Sequence, residues 1–208
     1  HSDEGKLERE DLYDFAELMI KYLAHKIRVR NNQLKHHTDR DHFYQIMRNS
    51  PYKALWRATV TPTTQVVPLL KSYLYSRTLH GQLHTYTLAS AIIYMERLAA
   101  TDPDMLQINT YNFRQIVSVC ITLADKFNQD LTPTNSYYAQ LAGIDTQRFN
   151  QFEMMVFRAL NYKLYVTEED AIAQMEAIDH AYGDSATSFE NHLDHQPPAE
   201  ASDSNTPI

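Results

Sequence analysis

Only four glycines occur in the 208 residues of this chain, and that scarcity limits its possible folds more than any other feature. Glycine supplies the positive-φ positions on which hairpins and tight β-connections depend, and soluble proteins average about 7 percent of it. The sequence therefore argues against a many-stranded sandwich or barrel. Gly5, Gly81, Gly143 and Gly183, with eight thinly spread prolines, leave breaker-free windows at 6–50, 69–80, 82–102, 104–132 and 144–182. Windows of that kind suit helices, and the chain reads as all-α.

With 43% hydrophobic and 11% aromatic residues, the chain can fill the core of one domain of about 150 residues. The longest stretch without Lys, Arg, Asp or Glu, 78–95, contains His80, Gln82 and His84. It is not a membrane span, so no membrane partner is expected. No signal-peptide pattern is read, and His1-Ser2 is set aside from the fold. Cys120 is the single cysteine and lies in an apolar run. That points to a reducing compartment, the nucleus or cytoplasm, and to a small core residue rather than a nucleophile.

Charge is segregated. Residues 21–58 hold nine basic side chains against Asp39 and Asp41, whereas 1–20 and the tail 183–208 are acidic. The tail lacks apolar periodicity and is expected to be disordered, as are residues 1–10. The basic stretch reads either as a solvated helix end and loop or as a place for phosphate, including a phosphorylated substrate.

Apolar residues at three- and four-residue steps predict a first helix over 11–28, through Leu12, Phe15, Met19, Tyr22 and Leu23. Residues 31–62 read as a long connection with a short helix at 40–48. Further helices are predicted at 63–76, 83–100, 110–128, 135–142, 146–161 and 167–181. Pro68 is placed near a first turn, Asn135 as a cap, Asp145 or Thr146 as the next cap, and Gly81 and Gly143 as helix ends. The stretch 110–128 is apolar on most sides, with a narrow polar stripe of Arg114, Ser118, Thr122, Asp125 and Lys126. Such a helix belongs in the middle of a bundle.

Three local motifs carry a family resemblance. Tyr94-Met95-Glu96-Arg97-Leu98-Ala99, Leu123-Ala124-Asp125-Lys126-Phe127 and the run from Asn150 to Phe157 resemble the second-, third- and fifth-helix motifs of the cyclin box. Asn135-Ser136-Tyr137-Tyr138-Ala139 with Gly143-Ile144 resembles the phosphate-regulon (P/U-type) branch of fungal and protozoan cyclins. The resemblance implies one five-helix cyclin box at 63–165. It is preceded by the N-terminal helix and basic connection at 11–62 and followed by a C-terminal helix at 166–182, with too few residues beyond for a second box. It also implies a regulatory subunit without catalytic residues or cofactor, bound to a cyclin-dependent kinase.

Within that resemblance, Lys126 and Glu153 match the positions that face the kinase, with Phe127 and Phe157 as apolar neighbours. A cation and an anion on otherwise self-burying helices can bond exposed backbone groups of a partner and set its register. The alternative is a surface ion pair between the two, which contributes little. Their motif positions favour the interface. Two departures stand out. Gln65 to Leu69 does not match the substrate-docking motif of cell-cycle cyclins, and Glu96 replaces the usual Asp, so the buried ion pair of many cyclins is expected to be absent or rebuilt.

Rival readings are weaker. No Gly-rich phosphate loop, Gly-x-Ser-x-Gly or His-Glu-x-x-His is present. His36, His37, Asp39, Asp41 and His42 form the nearest approach to a metal cluster and read as a loop without metal. A cyclin-fold transcription adapter is the second function considered, because 135–161 has a helix-turn-helix rhythm. Arg148 and Arg158 there are offset by Asp145 and Glu153, a poor footprint for phosphates, so nucleic acid is not the expected partner. Ser50-Pro51 reads as either a proline-directed kinase site or a turn.

Overall fold

The computed structural model describes residues 2–35, 40–57, 60–79 and 83–183. Among these residues eight α-helices run in order: α1 (Ser2–Lys35), α2 (Arg40–Asn49), α3 (Thr63–Leu79), α4 (Thr85–Thr101), α5 (Phe113–Asn128), α6 (Asn135–Ala142), α7 (Thr146–Ala159) and α8 (Glu168–Tyr182). No strand occurs among the described residues. Gly81, His36, His37, Asp39 and the tail after Gly183 lie outside them, as do the side chains of Asp41 and His42.

Helix α5 occupies the centre, against α4, α7 and α6, while α1 lies across α3, α8 and α4. The polar stripe of α5 is itself buried at Ser118, Thr122 and Asp125. The two hydroxyls manage this by donating to carbonyls one turn back, Ser118 Oγ to Arg114 O at 2.5 Å and Thr122 Oγ1 to Ser118 O at 2.9 Å. A hydroxyl satisfied by its own helix can be buried at little cost. Cys120 is fully enclosed and burial pushes its thiol pKa up, which suits a core residue.

Helix α1 is longer than its apolar stripe. It begins at Ser2 and passes through Gly5, so residues 2–10, expected to be disordered, are helical. Acidic residues at its start and good helix formers (Leu, Glu, Lys, Arg) favour helix there without an apolar stripe. Pro68 sits in the second turn of α3 rather than the first. It is exposed, as is Thr64, whose carbonyl it leaves without a helical partner.

Gly143 ends α6 with φ of +63°, and the Gly143 and Ile144 amides donate to Gln140 O and Ala139 O, a Schellman closure. A Cβ here would stand 2.6 Å from Arg114 Nη2, whose guanidinium donates to Ala142 O at 2.9 Å. Gly143→Ala should therefore lower unfolding free energy by about 1–2 kcal/mol, read from a denaturant midpoint. An unchanged midpoint would show that the loop relaxes freely.

Candidate functional site

The last turn of α5 and the length of α7 meet side by side. Lys126 Nζ donates to Glu153 Oε1 at 2.7 Å, and both side chains are part-buried. The other carboxylate oxygen of Glu153 accepts from Asn135 Nδ2 at 2.7 Å, which also reaches Asn150 Oδ1 at 2.7 Å. Asn135 therefore does not cap α6. The N-cap is Thr134, with no side-chain cap bond, and the Asn135 amide instead ties α6 to α7. The expectation for the next helix holds, since Asp145 accepts from Arg148 N.

Large apolar groups lie exposed near this pair in the chain. Phe127 is 49% exposed, Leu131 81% and Tyr162 59%, with Met154 also exposed. Asn150, Glu153, Met154 and Phe157 recur at helical spacing and share one face of α7. After α7, Asn161 and Tyr162 take φ of +52° and +60°. The Tyr162 amide returns to Phe157 O at 3.0 Å, and its ring stands edge-on to Phe157 with centroids 4.9 Å apart. Left-handed backbone at a tyrosine is strained by about 1–2 kcal/mol. The result is an aromatic ring presented to solvent.

Sequence reading placed Lys126, Glu153, Phe127 and Phe157 here, and the structure brings Lys126 and Glu153 into direct contact. It overlooked Asn135, Leu131, Met154 and Tyr162. The one usable signal was Asn161, a residue type that tolerates left-handed backbone just past a helix.

The expectation for Glu96 holds: it is not in a buried pair. It bonds Lys26 Nζ at 3.0 Å near the surface and accepts from the Tyr22 hydroxyl, while burial raises the Glu96 pKa and lowers that of Lys26. A buried ion pair occurs elsewhere, Arg77 with Asp125. Ser50 is buried, and its Oγ accepts from Tyr52 N at 3.0 Å, so the Ser50-Pro51 step is a turn. In the basic stretch, Lys26 is engaged by Glu96 and Arg30 is buried against Asp104. Lys21, Lys35, Arg48, Lys53 and Arg57 remain exposed. A cleft of about 160 Å³ lies between α3, α5 and α6, walled by Leu70, Tyr73, Val117 and Leu141 with Arg114 beside them.

The family model for cyclins matches residues 16–164, more than half of the chain. The chain belongs to the cyclin family. Among related proteins, Cyclin-U4-1 of Arabidopsis thaliana is 29% identical over 123 residues, 59% of this chain and 56% of that protein. PHO85 cyclin-like protein psl1 of Schizosaccharomyces pombe is 30% identical over 95 residues, 46% of this chain and 36% of the relative. PHO85 cyclin-1 of Saccharomyces cerevisiae is 25% identical over 114 residues, 54% and 41%. The matched part of this cyclin thus spans about half the length of these relatives or less. Its resemblance to the P/U-type branch agrees with the U-type and PHO85 cyclins among them.

Proposed function

We propose that this cyclin is a non-catalytic regulatory subunit, in the nucleus or cytoplasm, that binds and activates a cyclin-dependent protein kinase through the face around Lys126 and Glu153. The observation that carries this is a part-buried ion pair with solvent-exposed Phe127, Leu131, Met154 and Tyr162 on the adjoining segments. Exposed aromatics beside oriented charges are the ingredients of a protein interface. One relative is by name a PHO85 cyclin and another a PHO85 cyclin-like protein, which supports a kinase of that kind as partner. The action is conformational. Lys126 and Glu153 bond backbone groups of the kinase's αC helix and its adjoining loop, the aromatics exclude water, and the helix is held inward. That completes the Lys–Glu pair that positions the phosphates of ATP.

The test is capture from an extract of the native cell by the tagged chain, identification of the kinase, and assay of its activity with and without purified cyclin. A cyclin-dependent kinase that is stimulated supports the reading; recovery of no kinase, or of one left unstimulated, defeats it. Phe127→Ala removes an exposed ring, so stability should stay within about 0.5 kcal/mol. Its affinity for the recovered kinase should fall about tenfold, as for a desolvated anchor.

A further inference from the structure

Beneath the exposed face lies a carboxylate that the proposed contact itself does not use. Asp125 is 1% exposed. Its Oδ2 accepts from Arg77 Nη2 and from the Tyr138 hydroxyl, the latter at 2.7 Å, and its Oδ1 accepts from Gln129 Nε2 at 2.7 Å. The donors come from the end of α3, from α6 and from the residue just past α5. The Arg77 guanidinium also stands 4.5 Å from the centre of the Tyr138 ring. A buried ion pair stabilises a fold no better than apolar side chains of the same volume. What a network of this kind supplies is geometry, because each member fixes the placement of the others.

That geometry leads to the face above. Asp125 immediately precedes Lys126 in the last turn of α5. Tyr138 lies one turn along α6 from Asn135, whose amide bonds Glu153 Oε2 and Asn150 Oδ1. One buried carboxylate therefore braces both halves of the Lys126–Glu153 pair, the cation through α5 and the anion through Tyr138 and Asn135. We infer that Arg77, Asp125 and Tyr138 are positioning residues that hold the Lys126–Glu153 pair in the orientation its kinase partner requires. The inference rests on the proposed function for its readout in binding.

Tyr138→Phe is the appropriate probe, since it keeps the ring against Arg77 and removes only the hydroxyl. Two measurements are made, amide hydrogen exchange of the free cyclin and affinity for the kinase that the wild-type chain recovers. Exchange should quicken about tenfold in 129–142 while α1 and α8 change less than about twofold, a local opening rather than a global one. Affinity should fall about tenfold, and by less than about twofold when Lys126→Ala is already present, because a brace acts through the residue it holds. Exchange that is unchanged, or that rises evenly through all helices, overturns the inference. So does an affinity loss of equal size with and without Lys126. A wild-type chain that recovers no kinase defeats the functional reading on its own, and the exchange pattern still decides whether the network holds the pair.

Discussion

Lys126→Glu is expected to leave this cyclin folded and to remove kinase capture, with affinity lower by on the order of a hundredfold or more. The two halves of that expectation have different origins. Within the chain, Lys126 and Glu153 are only part-buried, and an ion pair reached by solvent contributes about 0–1 kcal/mol. At a desolvated interface, a misplaced charge faces partner groups that lose both their bond and their water, which costs several times more. Glu153→Lys should behave alike. The double variant Lys126→Glu with Glu153→Lys separates the alternatives, because it restores the pair inside the chain while presenting inverted polarity to a partner. Thermal stability should return in the double variant and capture should not. Should capture return with the swap, the pair is merely a brace; should each single variant hold the kinase as wild type does, this face is not the contact.

The helices after α5 are the legible part of the sequence, for a physical reason. In α6, α7 and α8 the local signals agree: a left-handed glycine at Gly143, an aspartate cap at Asp145, and Thr167 followed by Glu168, Glu169 and Asp170. Where burial and punctuation coincide, pattern reading works. It failed at the start of α1, because residues 2–10 are helical but carry no apolar stripe, and helix propensity alone is a weak signal. Lys126 and Glu153 were legible through the motifs around them. Their contact entered the sequence reading only as the alternative to an interface, and its tie to Asn135 exists only once α5, α6 and α7 are packed.

The polar stripe of α5 is more instructive. Ser118, Thr122 and Asp125 recur at helical spacing on a helix read as the middle of the bundle, although a polar side chain is normally exposed. Each is buried by virtue of a partner, and only the hydroxyls find theirs within the same helix. Asp125 has one local partner, Gln129 four positions on, but Arg77 and Tyr138 come from 48 positions upstream and 13 downstream. No local pattern contains the last two. Glu96 shows the converse, a residue at a motif position associated with burial that instead sits near the surface with Lys26.

Asp125→Ala should be among the most destabilising single substitutions in the chain. It removes the counter-charge of Arg77, which is 5% exposed, and leaves the Tyr138 hydroxyl without its acceptor. Burial alone works against the charge on Arg77, yet Tyr73 and Asp125 outweigh it and its pKa lies above the ordinary guanidinium value. A guanidinium keeps its proton in a protein interior even without a counter-charge, and the Arg77 Nε has no partner among the described residues. Breaking a buried pair on one side costs about 3–5 kcal/mol, which for a domain of this size lowers Tm by roughly 10 °C. The apolar double variant Arg77→Met with Asp125→Leu should recover most of that loss, since it removes both charges together. Its kinase affinity should nevertheless stay low, because packing replaces the energy of the network and not the bond through which Tyr138 orients α6. A double variant as stable as wild type that also binds as wild type would show that the buried charges serve the fold alone.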